Sequence, residues 1–140
     1  MNVDGKCLCG YLSYEAEVDQ EAVEICNCTD CQTLSGSAFR VNVPIVGRKF
    51  RFLSGQPKTY VKIAASGNRR VLAFCPKCGT SVYSKPEDGR EGFFGLRVGS
   101  LRQRTELVPR AQCWRNSRQS WIDRISDMPA FDEDAPSQRR

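Results

Sequence analysis

The sequence contains no histidine. Without imidazole, any metal site has to be built from sulfur or oxygen donors, and the side chain that most often serves as a general base at neutral pH is missing. No stretch approaches the roughly 18 consecutive apolar residues of a membrane span. Residues Met1 to Cys7 also lack the basic segment and apolar run of a secretion signal. The expectation is a cytoplasmic protein without a membrane segment. Internal repeats and long amphipathic helical patterns are absent too. At 140 residues, with 40% hydrophobic and 26% charged residues, the composition excludes a wholly disordered chain. It fits one domain, large enough for a core and small enough that metal staples would help.

What the chain has in excess is cysteine, eight residues in all. A disulfide framework belongs to small secreted domains, so reduced, metal-binding thiols are the expectation. Seven of the eight are clustered: Cys7-Leu8-Cys9-Gly10, Cys26-Asn27-Cys28-Thr29-Asp30-Cys31, and Cys75-Pro76-Lys77-Cys78-Gly79; Cys113 stands alone. The triple Cys26, Cys28, Cys31 has the three-ligand count of a catalytic zinc site with an open fourth position. Three other readings of it remain: a redox pair at Cys28 and Cys31, a closed site completed by Cys113, and three buried thiols. The formal charge of +5 treats every thiol as neutral. Seven thiolates and two zinc ions would lower it by three, to about +2, which weakens any argument from net charge for a nucleic-acid partner, and none is expected.

Short alternating segments predict a mainly β fold. Tyr11–Ala16 follows the first cysteine pair, Val23–Cys28 enters the triple, and Thr29–Thr33 makes one helical turn before Ser35-Gly36. Ala38–Val43 alternates and is expected to end at Pro44 and Gly47; Lys49–Leu53 and Thr59–Ile63 follow as separate strands. Arg70–Phe74 and Ser81–Ser84 would form a hairpin with Cys75 and Cys78 at its tip, and Phe93–Val98 and Gln112–Arg115 complete the set. The domain is expected over 1–131, with residues 132–140 a mobile polar tail.

Four thiolates close a tetrahedron, and a glycine after each pair allows the tight turn a metal knuckle needs, so Cys7, Cys9, Cys75 and Cys78 are expected to share one ion. The Cys7/Cys9 pair could instead join the triple. Together, Gly5-x-Cys7-x-Cys9-Gly10, Cys26-x-Cys28-x-x-Cys31 with Ser35-Gly36, Phe74-Cys75-x-x-Cys78-Gly79, Val98-Gly99-Ser100-Leu101, Ser117-Arg118-x-x-Trp121 and Met128-Pro129-x-Phe131 resemble the glutathione-dependent formaldehyde-activating enzyme family. The resemblance runs from Gly5 to Phe131. It implies a β-tent fold, a structural zinc on Cys7, Cys9, Cys75 and Cys78, and a second, open zinc on Cys26, Cys28 and Cys31. The chemistry it implies is addition of glutathione to formaldehyde, a carbon-sulfur lyase run in reverse, with small thiol and aldehyde as partners. Where many members carry His or Arg, this chain has Asn27, Gln112 and Leu72.

Glutathione carries two carboxylates, for which Arg40, Lys49, Arg69 and Arg70 are the candidate partners. Cys113 is expected to be a buried apolar filler, Trp114 and Trp121 core or interface anchors, and Arg97, Arg102, Arg104 and Arg110 a solvated face. The alternative function is a zinc-stapled binding module without catalysis, as in centromere-associated proteins that resemble the same domain.

Overall fold

The computed structural model describes residues 1–87 and 91–135. The expected tail lies largely outside them, at 136–140. The fold is mainly β, as the alternation predicts: β1 (Asn2–Lys6), β2 (Ser13–Val18), β3 (Glu24–Cys26), helix α1 (Thr29–Ser35), β4 (Arg40–Ser54), β5 (Lys58–Ile63), β6 (Arg69–Phe74), β7 (Ser81–Pro86), β8 (Gly95–Arg97) and β9 (Ala111–Cys113). Hydrogen bonding runs in the order β1-β2-β4-β8-β7-β6-β5, with β3 on β4 and β9 parallel to β3.

Two expected strands are one. Pro44 and Gly47 do not end β4, because Pro44 still pairs with Gly95 and its carbonyl accepts from the Asp19 N–H at 3.0 Å. What they produce is a bend. Ile45 pairs with Val18 but Phe50 with Ala16, so β4 carries extra residues here, and Gly47 (φ 53°) and Arg48 (φ 59°) take left-handed conformations. The first half of β4 pairs with β3 and β8, the second with β2. This folds the sheet so that Phe50 meets Tyr83 of β7 edge-on, at 5.2 Å between ring centroids. Tyr14, Phe52 and Phe94 join the same aromatic group. Val43, Leu96, Tyr83 and Ala73, paired across β4, β8, β7 and β6, form the floor of the core.

The sequence holds no signal for β1, whose buried positions are Val3 and Gly5. Gly5 is there for lack of space. A Cβ on it would stand 2.7 Å from the Tyr14 ring and 2.8 Å from the Ser100 carbonyl, while Tyr14 and Ser100 themselves share a 2.5 Å hydrogen bond. Gly5→Ala is therefore expected to cost on the order of 1–3 kcal/mol. An unchanged urea midpoint would mean that this contact relaxes freely.

Candidate metal centres and the adjoining cavity

The β1–β2 turn and the β6–β7 turn meet at one end of the sheet. Gly10 (φ 79°) and Gly79 (φ 76°) adopt the left-handed backbone that lets each chain double back, donating to the carbonyls of Cys7 and Cys75 at 3.0 and 2.9 Å. The four sulfurs of Cys7, Cys9, Cys75 and Cys78 all lie within 4.8 Å of one another. Zinc–sulfur bonds of about 2.3 Å in a tetrahedron separate sulfurs by about 3.8 Å. Cys7 to Cys9 measures 3.6 Å and Cys9 to Cys75 3.8 Å, so the residues fit a closed four-sulfur ion. The Leu12 N–H donates to Cys7 Sγ at 3.2 Å, and the Thr80 hydroxyl lies 3.1 Å from Cys78 Sγ. That hydroxyl is the main influence lowering the Cys78 thiol to about 5. The grouping with the triple, which spacing left open, does not occur.

The triple is built by β3 and α1. Cys26 ends β3, Cys28 is the N-cap of α1, and Cys31 lies in its first turn, with the Cys31 N–H donating to Cys28 Sγ at 3.3 Å. Their sulfurs also lie within 4.8 Å of one another. The hydrogen bond from Cys31 is the main influence lowering the Cys26 thiol to about 5, and Cys31 itself is pushed up by that neighbour. One thiolate forms readily, and a cation in the cluster would release the remaining protons. All eight cysteines are free thiols, so no Cys28–Cys31 disulfide is present.

Cys113 is half-buried beside the triple, with its thiol within hydrogen-bond reach of the Cys26 thiol. It pairs with Cys26 in the β3–β9 ladder, yet its Sγ turns to the Ile25 carbonyl at 3.5 Å and falls outside the three-sulfur cluster. Burial pushes its thiol up to about 12. Asn27 is buried and bridges to the Cys113 carbonyl at 3.0 Å and to Gln112 Oε1 at 3.4 Å. Two of the three positions that differ from the family pattern, Asn27 and Gln112, thus hold one another. Gln32 completes this backing, donating to the Asn27 and Ser117 carbonyls at 2.8 and 2.9 Å.

The sulfur triple opens on a cavity of about 510 Å³ that is also lined by Glu24, Arg40, Asn42, Lys62, Arg70 and Arg97. Register explains the company. Cys26 pairs with Arg40, Glu24 with Asn42, and Asn42 with Arg97, and cross-strand partners share a face. The apolar alternates make the core, so β8 and the first part of β4, from Arg40 to Ile45, are buried on both sides. Arg97 is consequently 8% exposed and donates to Asn42 Oδ1, which corrects its place in a solvated basic group. Arg102 and Arg110 are at the surface, paired with Asp4 and Glu21.

Arg70 is held by Ser84 Oγ at 2.9 Å and the Phe93 carbonyl at 2.6 Å. Arg69 points to another cleft, paired with Glu87, and Lys49 pairs with Glu17 at 2.6 Å, away from the triple. Trp114 and Trp121 are 51% and 43% exposed, so neither is a core anchor.

A model of the family described as glutathione-dependent formaldehyde-activating enzyme matches residues 2–117. The chain belongs to the glutathione-dependent formaldehyde-activating enzyme family. A crystal structure of a Rhodobacter sphaeroides protein is similar over 78% of this chain and 98% of its own, with 18% identity and a TM-score of 0.59. That likeness concerns the fold. Among curated proteins none matches. No helix among the described residues is long and apolar enough to cross a membrane.

Both cysteine clusters that the resemblance assigns are brought together here, and zinc fits them. Reduced protein is expected to carry two zinc ions per chain by elemental analysis. A single ion that survives mutation of Cys28 would rule out the second site.

Proposed function

We propose that the protein is a cytoplasmic, zinc-dependent carbon-sulfur lyase that joins a small thiol such as glutathione to an aldehyde such as formaldehyde, and reverses the step. One observation carries this reading: three sulfurs within 4.8 Å of one another, with the Cys113 sulfur outside that group, facing a cavity lined by several cations. Zinc bound there would supply an open position at which an added thiol loses its proton. The net change would be addition of the thiol S–H across the aldehyde C=O: a C–S bond forms, the C=O π pair moves to oxygen, and that oxygen takes the thiol's proton. Atoms and charge balance, and no redox partner is needed.

The chain's own contribution is placement. Arg40 and Arg70 line the cavity and are suited to meet carboxylates of glutathione. Asn27 and Gln32 fix the loop that carries the triple. Cobalt substitution tests the reading, because a sulfur entering the second site alters the cobalt spectrum. Glutathione is expected to produce that change, and glutathione with formaldehyde to give hemithioacetal faster than the uncatalysed background. No spectral change, a background rate and salt-dependent DNA binding would together favour the binding module.

A further inference from the structure

The two most deeply buried arginines among the described residues, Arg40 and Arg97, both line this cavity and repel one another, and neither is paired with an acid among those residues. Arg40 is 6% exposed and its Nη2 is both buried and without a hydrogen-bond partner; Arg97 is 8% exposed and its Nε is in the same condition. Among the described residues the Arg40 guanidinium has no hydrogen bond to any side chain or carbonyl, and Arg97 has only Asn42 Oδ1. The cavity's own carboxylates do not serve them: Asp30 is paired with Lys62 at 2.8 Å, and Glu24 forms no ion pair with either. The sulfurs of Cys26 and Cys31 favour both charges through space but accept no bond from them.

Buried guanidiniums lacking partners are unfavourable, and mutual repulsion makes them more so. A fold keeps such an arrangement when a ligand completes it, and a planar two-oxygen anion matches the guanidinium fork. We propose that Arg40 and Arg97, with Asn42 fixing Arg97, form a carboxylate-binding site beside the three sulfurs, so that one reactant is a small carboxylate with its reactive atom close to the carboxyl group. Neutral formaldehyde needs no such site. The carboxylate can belong to the carbonyl reactant, an aldehyde acid or 2-oxo acid, or to a compact thiol acid. This deepens the proposed function in naming the substrate class, while the binding site itself stands apart from thiol ligation.

The test uses the zinc-loaded protein and reads binding first. Acetate and glyoxylate are expected to raise the melting temperature saturably, whereas acetamide is not. Arg40→Met and Arg97→Met should melt at or above the parent temperature without anion, since each removes a buried unsatisfied charge, and should bind acetate at least tenfold more weakly. Arg97→Lys keeps the charge but loses the fork and should also bind weakly; it serves if Arg97→Met does not fold.

Two arms identify the source. A rate gain with glyoxylate and 2-mercaptoethanol places the carboxylate on the carbonyl reactant; a gain with mercaptoacetate and formaldehyde places it on the thiol. Carboxylates that leave the melting temperature unchanged, or Met variants that melt lower and bind acetate like the parent, overturn the site. Cobalt spectra with 2-mercaptoethanol, which has no carboxylate, report thiol ligation separately, so loss of the anion site and loss of the proposed function are distinguishable.

Discussion

Cys75→Ser is expected to abolish cooperative folding of the reduced protein at neutral pH. Cys75 is 1% exposed and its sulfur is one of four that tie the β1–β2 turn to the β6–β7 turn, two points remote in sequence. Structural zinc sites contribute an apparent 10–16 kcal/mol at pH 7, roughly, and most of that is folding free energy because the unfolded chain has no site. A domain's total stability is about 5–15 kcal/mol, so losing a ligand here removes a comparable amount. Serine also leaves a hydroxyl where a thiolate met three neighbours. Far-UV circular dichroism during urea unfolding, with zinc content measured on the same sample, checks this. A variant that unfolds like the parent while holding only one zinc ion would show that the closed site is not structural.

The triple and each of the two knuckles could be read from the sequence because ligand spacing is local: a knuckle needs its two sulfurs within one turn, and the glycines after Cys9 and Cys78 mark those turns; that the two knuckles share one site is a long-range fact that spacing left open. Strands β5, β6 and β7 are legible from their β-branched and aromatic residues and the turns that flank them, which are local signals as well. What escaped depends on pairing. Pro44 and Gly47 read as breakers, yet neighbouring strands on both sides carry β4 past them and turn the break into a bend. Arg40 and Asn42 read as the outer face of a half-buried strand, and Arg97 as a surface charge. Only the β3–β4–β8 register places these three together beside the sulfurs, and one sequence holds no direct signal of register. The Asn27–Gln112 hydrogen bond is a similar case, since it depends on the parallel β3–β9 pairing, which joins residues more than 80 positions apart.

The sharpest separation of the two centres comes from Cys28→Ser, which is expected to abolish the reaction and leave the fold intact. Cys28 has two duties, as a sulfur of the open cluster and as the N-cap of α1, where its side chain accepts from the Cys31 N–H. Serine is a better N-cap than cysteine and keeps that bond, so the helix should retain its start and the melting curve should barely move. Its hydroxyl is a poor zinc ligand, which leaves Cys26 and Cys31 as a two-sulfur remnant. Zinc content should fall from two ions per chain to one, the cobalt spectrum should stop responding to glutathione, and hemithioacetal formation should drop to background. Cys28→Ala offers the control, since it loses the cap as well and should be less stable than Cys28→Ser by about 1 kcal/mol. If Cys28→Ser loses zinc but keeps the full rate, thiol activation does not occur at this cluster. If it instead unfolds along with Cys75→Ser, the second centre is a staple like the first, and the division between structural and reactive zinc fails.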